Sequence, residues 1–290
     1  MTTIGPDYAS VDANAVPNFP AAKHAGARFV IVRAIYGRPL GLTDNKSPFR
    51  DPVWVRDKAA IKAAGLGRGA YLFICYPKSG VYTPPPEEQA QAYIDYVTLD
   101  RDQDFVPMVD VEEASDILGS TAMYDWTLRV CRVLRAHFGV WPGIYSSARA
   151  WTENLKGHAA GLLINCPLWI AKPWPWAIRT PVHLDGAPAY DPTPIPAWGD
   201  QWFFYQYQGD ALDWPGFTRT VDANRFNVLS KGAKGDSVKW AQQRLKVTAD
   251  GLFGPNTETA VKELQRKHGL TVDGVIGVAT FAPLCWLPAG

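Results

Sequence analysis

Between residues 4 and 155, short apolar runs alternate with segments carrying helix start and stop signals, and this alternation restricts the fold more than any other feature. The runs are Ile4–Asp7, Arg28–Ile35, Gly69–Tyr76, Val106–Glu113 and Val140–Ser146. Arg28–Ile35 is almost continuously apolar, as a strand covered on both faces of a parallel sheet must be. The helical segments are punctuated locally. Gly26 stops a helix over Phe19–Ala25. Asp51-Pro52 supplies an N-cap and a first-turn proline for a helix running to Gly65. Pro84-Pro85-Pro86-Glu87-Glu88 places acids at the positive end of the next helix. Ser120 or Thr121 caps a long helix through Val130, Val133 and Leu134, which Gly139 ends, and a helix near Ala148–Leu155 follows.

After that the rhythm changes. Pro167–Lys172, Trp202–Gln206 and Thr218–Asn224 read as strands with no helix between them, and Pro173–Trp198 reads as a long surface loop. Eight strands and about five helices predict an α/β fold, an irregular TIM-like β/α barrel. At 290 residues the chain has room for one large and one small domain. From Lys231 the sequence becomes Gly-rich and a unit repeats, which sets the end of the chain off from the barrel as a small domain of its own.

That small domain carries an internal repeat. Asp250-Gly251-Leu252-Phe253-Gly254-Pro255-Asn256-Thr257 is echoed by Asp273-Gly274-Val275-Ile276-Gly277-Val278-Ala279-Thr280. Each unit reads as a Gly-containing turn leading into a Thr-capped helix. Helical spacing of Val238, Ala241 and Leu245, and of Ala260, Val261 and Leu264, suggests a self-contained unit able to fold alone. From Lys231 onward there are eight Lys and Arg against five Asp and Glu. This mild excess suits an anionic wall polymer, although a solvated face is its commoner cause.

Barrels of this kind do their chemistry at the C-terminal ends of the strands. Those ends hold Asp7, Asp110, Glu112, Tyr145, Gln206 and Asp222. Within Val106-Pro107-Met108-Val109-Asp110-Val111-Glu112-Glu113, strand alternation puts Asp110 and Glu112 on one face, with backbones roughly 6.5 Å apart. Two like charges that close disfavour full ionisation, so one pKa should rise. A proton-holding acid beside a carboxylate is the equipment for cleaving a glycosidic bond. A lone D-x-E at the end of a strand would more often be an acidic loop; the gathering of four acids at one mouth favours catalysis.

Composition excludes other classes. The formal charge of +1 gives no support for a nucleic-acid partner. No apolar run approaches the ~18 residues of a membrane span, so no membrane insertion is expected. The start lacks the basic and apolar regions of a secretory signal. The five histidines form no H-E-x-x-H pattern, so neither a catalytic metal nor another cofactor is expected. Cys75, Cys131, Cys166 and Cys285 have no C-x-x-C spacing and read as buried free thiols.

A series of short motifs then resembles one family in order and spacing. They are Gly5-Pro6-Asp7 with Ser10, Phe29-Val30-Ile31-Val32-Arg33, Gly69-Ala70-Tyr71, Pro107-Met108-Val109-Asp110-Val111-Glu112, Gly143-Ile144-Tyr145-Ser146-Ser147, Leu168-Trp169-Ile170-Ala171, Tyr205-Gln206-Tyr207 and Val221-Asp222-Ala223-Asn224. Together they resemble glycoside hydrolase family 25, the Chalaropsis-type lysozymes, which are N-acetylmuramidases. That resemblance implies a catalytic barrel over residues 1–227, and the tail, residues 228–290, resembles a small all-α three-helix peptidoglycan-binding domain, through both D-G-x-x-G-x-x-T units and Leu264-Gln265. Departures from the family pattern are Ser10-Val11-Asp12, which lacks a Gln after the Ser, Pro173 in place of an aromatic, and the expanded Pro173–Trp198 loop.

The resemblance implies Glu112 as the general acid, Asp110 as the group that stabilises charge at the anomeric carbon or orients the acetamido group, and Asp7 and Asp222 as flanking catalytic acids. It implies Tyr71, Tyr145, Trp169, Gln206 and Arg33 as substrate-binding residues and bacterial peptidoglycan as the partner of a monomeric enzyme. The expected setting is a phage endolysin that passes from host cytoplasm to cell wall through a separate membrane pore. The alternatives are a wall-binding protein with a degenerate barrel and a hydrolase of another N-acetylated glycan such as chitin.

Overall fold

The computed structural model describes residues 3–9, 16–37, 48–172, 181–182, 184 and 191–289. Its strands are β1 (Thr3–Tyr8), β2 (Phe29–Tyr36), β3 (Phe49–Arg50), β4 (Gly67–Phe73), β5 (Met108–Asp110), β6 (Gly143–Ser147), β7 (Leu168–Ala171), β8 (Phe204–Ala211) and β9 (Val221–Phe226). All but β3 close into a barrel in the order β1-β2-β4-β5-β6-β7-β8-β9 and back to β1, while β3 adds to the outer edge of β2. Around it lie α1 (Phe19–His24), α2 (Pro52–Ala63), α3 (Pro86–Tyr96), α4 (Ser120–Phe138) and α5 (Ala148–Asn154). Every residue of β2 is buried, which explains its unbroken apolar sequence.

The strands from β1 to β8 run parallel around the barrel, but β9 is antiparallel to both of its neighbours, β8 and β1. Residues 212–220 are too few for a crossover, which needs a dozen or more, so the chain turns straight back. The sequence expectation of Asp222 at the C-terminal end of its strand is therefore corrected. Asp222 lies at the start of β9 and reaches the mouth because that strand is reversed.

Local punctuation was mostly as expected. Asp51 caps α2 by accepting a hydrogen bond from Val53 N at 3.2 Å, and Gly139 ends α4 in a left-handed conformation with φ 81°. The cap of α4, however, is Gly119, which offers no side chain, rather than Ser120 or Thr121. All four cysteines are buried free thiols. The expected loop over residues 173–198 falls largely outside the described residues.

The tail forms α6 (Asp236–Leu245), α7 (Pro255–Lys267) and α8 (Val278–Cys285). Its repeat is held by buried glutamines. Gln242 Nε2 donates to Asp250 Oδ1, Leu252 O and Thr257 Oγ1 at 2.8, 3.0 and 3.0 Å, and its Oε1 accepts from Gly251 N. Gln265 repeats the pattern on Asp273, Val275, Thr280 and Gly274. Thr257 and Thr280 are thus not caps; the caps are Gly254 and Gly277, and each threonine lies within its helix bonded to a distant glutamine.

The helices also dock against the barrel. Phe281 of α8 reaches its lower end, opposite the mouth, with ring centroids 5.8, 4.8, 5.6 and 5.3 Å from Phe105, Phe203, Phe204 and Phe226. Trp286 Nε1 donates to Asp104 O at 2.8 Å, and Asn165 O accepts from both Trp240 Nε1 and Arg244 Nη2. Gly67 opens β4 without a side chain because Val278 lies 2.6 Å from where its Cβ would stand. Part of the tail's apolar surface is therefore covered by the barrel.

Candidate active site

The mouth is assembled from strand ends that the barrel brings together. Asp7 of β1 and Asp222 of β9 are direct cross-strand partners. Gln206 of β8 pairs in register with Asn224, and Asp110 of β5 pairs with Tyr145 of β6. A continuous hydrogen-bond network links these groups. Tyr145 OH donates to Gln206 Oε1 at 2.9 Å, and Gln206 Nε2 donates to Asp7 Oδ2 at 3.1 Å and to Asp222 Oδ2 at 3.0 Å. Asn224 Nδ2 donates to Asp7 Oδ2 at 2.6 Å, while Trp169 Nε1 donates to Asn224 Oδ1 at 2.8 Å. Asp210 N closes the far end on Asp222 Oδ1 at 2.8 Å. Buried polar groups linked in this way hold one another's geometry.

Asp110 stands apart from that network. It is 5% exposed, and among the described residues its Oδ1 has no hydrogen-bond partner. Burial, then the negative charges of Glu112 and Asp7, push its pKa well above the carboxylate range; Arg33 opposes them. Glu112 follows in the loop just beyond β5, with its carbonyl fixed by Asn154 Nδ2 at 3.1 Å. Its side chain reaches solvent at the rim, yet the wall of protein around it removes enough water to lift its pKa to about 7, with Glu113 adding repulsion. Mutual repulsion keeps at least one proton on the Asp110–Glu112 pair near neutrality.

The remaining expected residues occupy different depths. Tyr71 and Tyr145 are buried, and both feel the charges of Asp7, Asp110 and Asp222. Trp169 is 2% exposed, with ring centroids 4.6 Å from Tyr145 and 6.1 Å from Tyr71. It supports the floor from beneath and orients Asn224. Arg33 is 7% exposed and gives its guanidinium to Asp51, with Nε and Nη2 at 3.0 and 2.9 Å from Oδ2. Asn224 is the residue the site reading missed. Its signal was present: two positions after Asp222, a strand returns the side chain to the same face.

Carboxylates gathered at a barrel mouth, one of them able to hold a proton near neutral pH, define a site of the glycoside-hydrolase type. The chain belongs to the glycosyl hydrolases family 25, whose pattern matches residues 7–214. A peptidoglycan binding domain matches residues 234–284. The fold is similar to that of a muramidase from Acremonium alcalophilum, with TM-score 0.59 and 23% identity over 78% of this chain and 93% of that one. An N-acetylmuramoyl-L-alanine amidase, CwlL, of Bacillus licheniformis is 46% identical over 61 residues, 18% of this chain. A zinc D-Ala-D-Ala carboxypeptidase of Streptomyces albus G is 39% identical over 62 residues, 19% of this chain. The chain spans only 17% and 24% of the length of these two curated relatives.

Proposed function

We propose that the chain is a lysozyme that cleaves the β-1,4 bond between N-acetylmuramic acid and N-acetylglucosamine in bacterial peptidoglycan. The observation that carries this reading is the acid pair: Glu112 lifted to about 7 at the rim, above a buried Asp110 with an unpaired oxygen. Glu112 protonates the leaving oxygen. Asp110 accepts the acetamide N–H of the muramic sugar and polarises its carbonyl toward the anomeric carbon. Asp7 and Asp222, held by Gln206 and Asn224, keep the pit negative as positive charge develops there. Tyr71 and Tyr145 shape the sugar subsite, with Trp169 and Arg33 behind it. Residues 1–227 form the catalytic unit and residues 228–290 the wall-binding unit. The setting is host-cell lysis by a monomeric endolysin, without nucleic acid or membrane insertion. Among the described residues no helix is long and apolar enough to cross a membrane.

A turbid suspension of purified walls is expected to clear on addition of the protein. Because the raised pKa of Glu112 means its proton is present below about 7 and lost above it, the rate should fall as pH rises through neutrality. An unchanged rate up to pH 9 would remove Glu112 as the acid. Walls that stay turbid while the protein pellets with them would mark a non-catalytic binding barrel instead.

Hydrolysis is expected to retain anomeric configuration and to depend on the muramic N-acetyl group. Acid spacing alone leaves retention and inversion open, because rotamers can set the pair near ~5 Å or beyond ~6.5 Å. The unpaired Asp110 oxygen favours attack by the acetamide carbonyl, a known route among glycosidases. De-N-acetylated glycan should lose turnover by about two orders of magnitude or more. Undiminished turnover would point to direct attack by Asp110, and an inverted product at early times by NMR would exclude both retaining routes.

A further inference from the structure

A polar cleft opens where α6 of the tail meets the underside of the barrel, at the end opposite the mouth. It holds about 260 Å³ and is lined by Trp198, Gln201, Asp236, Lys239, Trp240 and Gln243 among others. That is slightly below the usual size of a small-molecule pocket, so it suits a short segment of a larger ligand. Asp236, Lys239, Trp240 and Gln243 fall at i, i+3, i+4 and i+7, so they form one stripe of α6. A stripe that served only to pack against the barrel would be apolar. Three of these four are polar, and the two surfaces stand apart there. The edges of the cleft are fixed. Trp198 Nε1 donates to Leu163 O at 3.1 Å, and Trp240 Nε1 to Asn165 O at 3.0 Å. Asp200 and Asp236 bind each other's backbone, each N–H donating to the other's carboxylate.

Gln201, just before β8, is 3% exposed, yet its Oε1 has no hydrogen-bond partner among the described residues. Other buried glutamines of this chain show what such a carboxamide binds. Gln89 Oε1 accepts from Cys75 N at 2.9 Å while its Nε2 donates to Cys75 O at 2.8 Å. Gln242 and Gln265 each accept a glycine N–H and donate to the carbonyl of the residue after it. In all three, one side chain takes both polar groups of a peptide backbone. Gln201 has the same equipment and stands at the cleft without the peptide. Lys239 adds charge, being exposed and in no ion pair among the described residues. Asp236, the acid on its stripe, already has Oδ2 bonded to Asp200 N. We propose that the cleft binds a short peptide with a free carboxylate, its backbone pairing with Gln201 and its carboxylate with Lys239. The acidic peptide stems of bacterial cell wall carry both groups, so for the source of the peptide this rests on the peptidoglycan reading above. Gln201 comes from the barrel and Lys239 from the tail, so the site exists only in the joined chain.

The test titrates soluble stem tetrapeptides, with lysine or diaminopimelate as third residue, into the full chain. Each is used as the free acid and as its methyl ester. Binding is read from the indole N–H NMR signals of Trp198 and Trp240, which border the cleft. The free acid is expected to bind about tenfold more tightly than its ester, the size of one charge-assisted contact. Lys239→Met should bring that ratio near one. Gln201→Leu should weaken both forms by about tenfold or more with no fall in Tm, because it removes a buried polar group that has no partner in the free protein. Signals that neither peptide shifts at about 10 mM overturn the proposal, as does binding that survives both substitutions. Chitotetraose shifting these signals in place of the peptides also overturns it, and makes the cleft a glycan site. None of these titrations needs cleavage. A parent that releases no reducing sugar from purified cell wall overturns the muramidase reading, while the titration still decides the cleft.

Discussion

Glu112→Gln is expected to abolish wall clearing while the chain still folds and still pellets with walls. Gln keeps the shape and the rim position of Glu112 but has no proton to donate. Loss of a positioned acid costs about 10²- to 10⁴-fold in rate. The substitution is mild for the fold, since the side chain reaches solvent and Asn154 bonds the backbone carbonyl rather than the carboxylate. The pH dependence above neutrality should vanish from any residual activity, a readout that simple destabilisation would not produce. Lysis within tenfold of the parent would reject the assignment.

Phe281→Ala is expected to destabilise the barrel although residue 281 belongs to the wall-binding helices. Its ring is 0% exposed and meets four barrel phenylalanines together with Trp240. Removing a buried phenylalanine costs about 3–5 kcal/mol, because the surrounding rings close the cavity only in part. For a chain of this size that lowers Tm by roughly 5–15 °C. Calorimetry checks it. A single transition moving down by that amount supports a shared core. An unchanged barrel transition, with only a small second one shifting, would mean that the two parts are stabilised independently.

Much of the barrel was legible because its signals are local. Apolar runs such as Arg28–Ile35, the Asp51-Pro52 start and the Gly139 stop each act within a few residues. The reversed β9 was less legible, since its direction follows from a short connection rather than from its own residues. Asp222 was placed at the mouth correctly, but for a reason the structure replaces. The acids could be found because Asp110 and Glu112 share one motif and Asp7 and Asp222 fall at strand ends. Asn224 shares a face with Asp222, a clue that period-two alternation contained.

The roles of Thr257 and Thr280 were hidden because their partners, Gln242 and Gln265, lie a helix away. The docking of α8 left a clue too. Val278-Ala279-Thr280-Phe281-Ala282-Pro283-Leu284-Cys285 is apolar almost all round, and a helix with no polar face needs cover on more sides than two small neighbours provide.

The central claim is tested most directly by identifying which sugar carries the new reducing end. Purified peptidoglycan is digested with the protein, its reducing ends are converted to alditols with borohydride, and the products are read by mass spectrometry. Cleavage as a family 25 muramidase predicts muramitol at every new end, in step with clearing of the suspension. Glucosaminitol ends, or soluble products released by peptide or amide cleavage without new reducing sugars, would contradict it.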